Sequence, residues 1–213
     1  MKKYAVYKES GIEWLGAIPD HWETSRIKTV SRVNPTKDES IDKASEELVT
    51  FLPMECVNVN GTIVTEQKKT IKNLYSGFTF FRKGDIIFAK ITPCFENGKG
   101  AFLSNLDTSF GFGSTEFHVL RPNEDQCNPE FLYFFTCSQI FRTVGEAFMT
   151  GAAGQKRVPS DFVQNFQISL PPIKEQKIIA KYISHKLIRI DSLINKKQQM
   201  IELLKEERAA IIN

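Results

Sequence analysis

The sequence predicts an α+β fold: one strand-rich globular domain over about residues 1–170, followed by a single long coiled-coil helix over 171–213. Three observations carry this. Strand signals dominate the first part and show no regular βαβ alternation. Glycine-bearing turns divide its middle into short apolar runs. After Pro171-Pro172 the chain contains neither Gly nor Pro, so nothing in it forces a break.

Residues 1–22 read as an irregular arm anchored by Tyr4, Tyr7, Trp14 and Trp22, with Gly11 and Gly16 as turns. Glu23–Val33 suggests a short helix with Ile27 and Val30 on one side. The polar stretch Asn34–Lys43, carrying Pro35, is a loop. The β-rich run LVTFLP follows, and Asn60-Gly61 is a hairpin-turn signal before an expected strand Thr62–Thr65. Ile86-Ile87-Phe88-Ala89 has the continuous apolarity of a buried strand, entered from the turn Lys83-Gly84-Asp85. CFENGKGAF places Asn97-Gly98 and Gly100 in a tight turn before another strand, and FGFGSTEFHVLRP reads as a third strand ending at Arg121-Pro122. Asn128-Pro129 then has the form of an N-cap followed by proline at the first helical position, opening one amphipathic helix, PEFLYFFTCSQIFRTVGE. A glycine loop, Met149–Val158, and a final strand within Asp161–Leu170 complete the domain. No solenoid-type repeat is visible.

In the tail, apolar residues recur at steps of four and three: Ile183, Leu187, Ile190, Ile194, Ile201, Leu204 and Ile211. This is an a/d heptad register, interrupted by Lys197 and Arg208. A helix over Ile173–Ile212 would be roughly 60 Å long at about 1.5 Å per residue. A stripe of that length needs a partner of similar length, so the expected partner is a second such rod. Leu187, Ile190, Ile194, Ile201 and Leu204 are the expected dimerisation residues, and antiparallel pairing avoids stacking Lys197 and Arg208 on their copies.

With 41% hydrophobic residues the chain has the material for one sizeable core, and a net charge of +3 permits a polyanionic partner without arguing for one. The four cysteines are scattered, with no C-x-x-C pair, and the three histidines lie far apart. That spacing excludes an obvious zinc site and fits free thiols in a reducing compartment. MKKYAVYKES lacks an apolar signal core and no run is long enough to span a bilayer, so a cytoplasmic chain without membrane contact is expected.

Familiar catalytic patterns fail on inspection. A phosphate loop at Asn97-Gly98-Lys99-Gly100 would need Gly at Pro93 and Ser or Thr at Gly100. The third glycine of a dinucleotide fingerprint starting at Gly111 falls on Glu116. No Asn-Pro-Pro-aromatic methylation tetrad occurs. Pro19-Asp20 with Glu66-Gln67-Lys68 matches a nuclease pattern only loosely, and His118 lies in mid-strand without a nucleophile beside it. No catalytic or metal-ligating residue is expected, and the chain reads as a binder. Three polar clusters on turns remain: Lys90, Thr92, Asn97 and Lys99; Ser114 and Thr115 with Glu116; and Gln155, Lys156 and Arg157. Such residue types read base edges or position phosphates, and glycines beside them let backbone approach closely. A coiled-coil adaptor binding protein, or a magnesium-dependent nuclease using Glu66 and Lys68, remain the alternatives at this point.

Several stretches together resemble the specificity subunits of type I restriction–modification systems: GIEWLGAIPDHWE, DIIFAKITPCFENGKGA, GFGSTEFHVLRP, MTGAAGQKRVPSDF and LPPIKEQKIIAKYI. The resemblance covers nearly the whole chain. It implies a target-recognition domain over about 1–170 and a spacer helix after it, one unit where such subunits usually carry two. It also implies double-stranded DNA as ligand, with the nine residues Lys90, Thr92, Asn97, Lys99, Ser114, Thr115, Gln155, Lys156 and Arg157 as candidate contacts. The implied protein partners are methyltransferase and restriction subunits and a second specificity half. No cofactor is expected in this chain, and S-adenosylmethionine is expected on the methyltransferase.

Overall fold

The structure, a computed structural model, describes residues 4–152 and 154–212. The first three residues of the expected arm, Ala153 of the expected loop and Asn213 at the end of the expected helix lie outside these.

The arm is more regular than its sequence suggests: β1 (Tyr7–Glu9) and β2 (Ala17–Pro19) pair as an antiparallel hairpin. Of the expected helix over 23–33 only one turn, α1 (Ile27–Val30), is helical, between β3 (Glu23–Arg26) and β4 (Ser31–Val33). The flanking backbone is claimed by strand partners, while Ile27 and Val30 are buried as the periodicity predicts. β5 (Leu48–Leu52) and a 3₁₀ turn at Met54–Cys56 follow. The Asn60-Gly61 turn is present, with Gly61 at φ +84°, but the expected strand Thr62–Thr65 shrinks to a single bridge between Val57 and Ile63. β6 (Lys68–Thr70) and α2 (Ile71–Leu74) come next, then β7 (Thr79–Arg82), β8 (Ile86–Ala89) and β9 (Gly100–Phe102).

FGFGSTEFHVLRP forms two strands, β10 (Phe110–Gly113) and β11 (Phe117–Pro122), in different sheets. Between them the Ser114 hydroxyl accepts from the Glu116 N–H at 3.2 Å, and the Phe117 N–H donates to the Ser114 carbonyl. The expected single amphipathic helix is also two: α3 (Pro129–Thr136), capped by Asn128, and α4 (Gln139–Ala147), capped by Ser138. Pro159-Ser160-Asp161 starts a further helix, α5 (Ser160–Asn165), so the last strand, β12 (Gln167–Leu170), occupies only the end of the expected stretch. The long helix is α6 (Ile173–Ile212), unbroken as the absence of Gly and Pro predicts.

Two four-stranded sheets, ordered β6-β5-β10-β7 and β4-β11-β8-β9, form the body, and β12-β3 and β1-β2 are two-stranded additions. All neighbours are antiparallel except β10 and β5. Leu52 and Phe81 of one sheet meet Ile87, Phe117 and Val119 of the other in an inner core. The opposite face of the second sheet, with Ile86, Phe88 and Leu120, is covered by Phe131, Phe141 and Phe162 from the helices. A strand covered on both faces needs apolar side chains in both directions, which is why Ile86–Ala89 reads as a continuous run. Close approach within the first sheet depends on glycine. A Cβ on Gly111 would lie 2.5 Å from the Thr50 carbonyl oxygen, and one on Gly113 would lie 2.6 Å from that of Leu52.

One buried ion pair ties the β7–β8 turn to β11. The Asp85 carboxylate, 2% exposed, accepts from Arg121 Nε at 2.8 Å and Nη2 at 2.7 Å, and from the Arg82 N–H at 2.8 Å. Removing the arginine would leave a buried carboxylate unpaired, which costs about 3–5 kcal/mol. Arg121→Ala is therefore expected to lower the urea midpoint by that order of free energy with an unchanged slope; a loss under 1 kcal/mol would show the pair to be solvated.

Candidate nucleic-acid interface

Alternating strand direction in β4-β11-β8-β9 determines where the loops fall. The chain leaves β4 at Asn34 and β8 at Lys90, and enters β11 from Glu116 and β9 from Lys99, all on one edge. The turn from β10 delivers Ser114 and Thr115 to the same edge. The glycine loop after α4 is sewn onto it. Val158 N–H donates to the Lys90 carbonyl at 2.8 Å, and Thr92 N–H donates to that of Lys156 at 3.0 Å. The Thr92 hydroxyl donates to the Gly154 carbonyl at 3.0 Å and accepts from the Lys156 N–H at 3.1 Å. Gly154, at φ +79°, supplies a backbone conformation that other residues rarely take. Three polar clusters, two of them joined by a contact spanning 64 residues of chain, thus meet on one surface.

Arg157 bridges two of them. Its Nε donates to Glu116 Oε2 at 2.9 Å and its Nη2 to Oε1 at 2.8 Å, a two-pronged pair that crosses from the glycine loop to the start of β11. The Arg157 guanidinium holds the Glu116 carboxyl below its usual range, against the opposing effect of burial. Behind them His118, 2% exposed, makes a second tie. Its Nδ1 faces the Asn34 amide at 3.1 Å and its Nε2 lies 2.8 Å from the Val158 carbonyl. An Nε2–H tautomer satisfies both, and burial lowers its pKa to about 4, so the ring is neutral at physiological pH. It acts as a structural link.

The nine candidate residues divide by what their side chains do. Thr92 and Arg157 hold loops together, and Lys99 reaches back to the Met54 carbonyl at 3.2 Å. The Ser114 oxygen caps its own turn. Lys90, Asn97, Thr115, Gln155 and Lys156 make no side-chain hydrogen bond or ion pair among the described residues, and all but the half-buried Lys90 are exposed. Sequence reasoning missed the loop after β4. Asn34, Pro35, Thr36 and Lys37 form, with Phe78 and Lys90, much of the wall of a cleft of about 500 Å³ between the sheets. Only the strand order brings that loop to this edge, and a polar run with one proline carries no local sign of it. Arg142 of α4 was also missed; its guanidinium packs where a Cβ on Gly98 would stand, 2.8 Å from Nη1.

Among the described residues no group of three or more His, Cys, Asp or Glu side chains is placed to hold a metal ion. Asp20 of the loosely matched nuclease pattern follows β2 in the arm, whereas Lys68 begins β6 in the first sheet, 3.8 Å from Asp107. Among the described residues no helix is long and apolar enough to cross a membrane. A polar surface of sewn loops thus lies at one end of a strand-rich body, and a long exposed helix leaves that body. The chain belongs to the family of the type I restriction modification DNA specificity domain, whose family model matches residues 19–203. It is 39% identical over 196 residues to the EcoAI type I restriction enzyme specificity subunit of Escherichia coli, covering 88% of this chain and 33% of that protein. The EcoEI specificity subunit of Escherichia coli is 34% identical, with 88% of this chain and 32% of that protein covered. The chain therefore spans about a third of the length of these relatives. In structure it is similar to a chain from a type I R-M system (TM-score 0.69, 26% identity, 87% of this chain and 48% of that one). The HsdS subunit from Thermoanaerobacter tengcongensis has the same fold, with TM-score 0.69 and 24% identity over 83% of this chain and 44% of that one.

Because the folded pKa of Glu116 is lowered, the pair's contribution is complete above the ordinary carboxylate range and is lost as pH falls through the lowered value. With Arg157 42% exposed in its side chain the contribution to stability is small. A ¹³C-detected titration is expected to place the Glu116 midpoint below that of exposed glutamates, and Arg157→Ala should move it up to theirs.

Proposed function

We propose that this chain is a DNA-reading half of a type I restriction–modification specificity subunit. Its body, about residues 1–170, reads one half of a bipartite duplex site. Its C-terminal segment, 171–213, which carries the long helix, pairs with a second specificity half or with its own copy and docks methyltransferase subunits, which carry the S-adenosylmethionine. Restriction subunits join that assembly. The observation supporting this most directly is the meeting of the three polar clusters on one edge of the sheet, in a chain of this family. Gln155, Asn97 and Thr115 present groups suited to base edges, while Lys90 and Lys156 are unpaired cations suited to phosphates. Thr92, Ser114, Lys99 and Arg157 complete the interface and hold its loops in shape.

The rod supports the pairing. Leu187, Ile190, Ile194, Ile201 and Leu204 are 44–57% exposed. Leu193, Met200 and Leu203 add a second apolar flank, 53–64% exposed, for a methyltransferase helix. If the chain pairs with its own copy antiparallel, a two-fold axis relates the bodies and the target is an interrupted palindrome.

Two measurements test this. Replacing Gln155 with Ala is expected to cost roughly 1–3 kcal/mol of binding and relax the motif at one position, read by methylome sequencing of a host expressing the chain with its methyltransferase. Lys156→Ala should weaken binding evenly and reduce the salt slope by about one. Salt-independent binding would favour a protein-binding adaptor instead. For the rod, Ile194→Asp with Leu204→Asp is expected to convert a sedimenting dimer into monomers; a monomeric unmutated chain at micromolar concentration would refute self-pairing.

A further inference from the structure

At the root of α6 the helix is held on two sides. Along one line, Gln176 is fully buried: its Oε1 accepts from the Asn128 N–H at 2.8 Å, and its Nε2 donates to the carbonyls of Gln126 at 3.0 Å and Pro171 at 2.8 Å. Ala180 is buried one turn further, and the Ser184 hydroxyl donates to Glu130 of α3 after another turn. Residues four apart share one face of a helix, so these contacts form a single line about which the helix could roll.

Glu175, about 100° round the helix from Gln176, supplies the second point. Its carboxylate gathers three groups from the N-terminal arm. Tyr4 Oη donates to Oε2 at 2.9 Å, Trp22 Nε1 donates to Oε2 at 3.1 Å, and His21 Nε2 lies 2.7 Å from Oε1. Burial pushes this carboxyl up, but the three partners together outweigh it and hold it below its usual range. The arm is itself fixed to the body, with Ile12 and Ile18 buried and Trp14 stacked on Phe166 at 5.1 Å. Ile179 packs against the body's core between the two, and from His185 to Ile212 every residue is exposed, so among the described residues the outer rod is bare.

We infer that Glu175, with Tyr4, His21 and Trp22, is a positioning site that fixes the angle of the rod to the body and thereby selects the gap between the two half-sites. The inference rests on the half-site reading above. The free rod beyond Ser184 is a lever of roughly 42 Å at about 1.5 Å per residue. One base pair more or less in the gap shifts a half-site by about 3.4 Å and turns it by about 35° round the duplex; the shift alone corresponds to a swing of about 5° of such a lever, and the turn adds to what the rod must absorb. A narrow strip of contact, the Gln176 line with the apolar Ile179 beside it, leaves the helix free to roll by that much, and hydrogen bonds at a point further round the helix oppose the roll.

Two variants test the site in the intact chain with its methyltransferase partner. Tyr4→Phe with Trp22→Phe keeps an aromatic ring at each position, the second a smaller one, and removes two donors, and Glu175→Ala removes the acceptor. Methylation is measured on targets whose gap is the preferred length or one base pair shorter or longer, beside affinity for a single half-site. The unmutated chain is expected to prefer one gap by roughly tenfold or more, and both variants to fall to about twofold with half-site affinity unchanged. X-ray scattering of the chain should be fitted by one rigid shape, whereas the variants need a spread of rod angles. Variants that melt at a lower temperature but keep both the gap preference and the single shape would overturn the inference, leaving the arm as packing. An unmutated chain that binds half-sites but ignores gap length would overturn it too. Absence of any duplex binding would instead defeat the half-site reading itself.

Discussion

The antiparallel pairing of β11 with β4 on one side and β8 on the other is the constraint on which the rest depends. It sends the chain out of the sheet at Asn34 and Lys90 and back in at Glu116 on one edge, so polar loops that are remote in sequence become neighbours. The same pairing leaves the other edge for the largely buried, two-pronged Asp85–Arg121 pair. A body locked at one end and decorated at the other can hold loops in fixed positions, which recognition requires more than it requires any particular loop sequence.

Within the decorated edge, polar residues do two different kinds of work, and their sequence types do not separate them. Arg157 and Lys156 are adjacent cations in one loop, yet Arg157 is paired with Glu116 while Lys156 faces solvent unpaired among the described residues. Thr92 and Thr115 differ in the same way: one hydroxyl staples the glycine loop and the other is exposed. Arginine suits the bridging role because its planar fork meets both carboxylate oxygens at once. The loop residues that remain free owe their positions to those that are engaged.

How much of this was legible in the sequence follows from how local each signal is. α6 was readable as one unbroken helix because a heptad pattern without Gly or Pro is decided by the chain itself. Asn128-Pro129 and Lys83-Gly84-Asp85 were readable for the same reason. The split of FGFGSTEFHVLRP was not, because it depends on Gly111 and Gly113 lying against Thr50 and Leu52, some sixty residues earlier. The helix break at Ser138 and the start of α5 at Pro159 did carry local cap signals, which the apolar and β-rich runs around them outweighed. The Glu116–Arg157 pair and the clasp on Glu175 link positions 41 and more than 150 residues apart, and no spacing rule reaches that far. Of the candidate interface, residue types and turns were legible, and their convergence was not.

The bare stretch of α6 has a consequence for how the chain unfolds. A helix without tertiary contacts draws little stability from its own backbone, so the segment after Ser184 is held mainly by whatever covers its apolar stripe. The body, by contrast, carries its own buried cores. Heating therefore divides the molecule into two cooperative units. The outer helix melts at a temperature that rises with concentration or with a bound partner, and the body melts at one that does not. A melting temperature read for this chain therefore belongs to one unit or the other, and the body's is the one that reports on the arm and the cores.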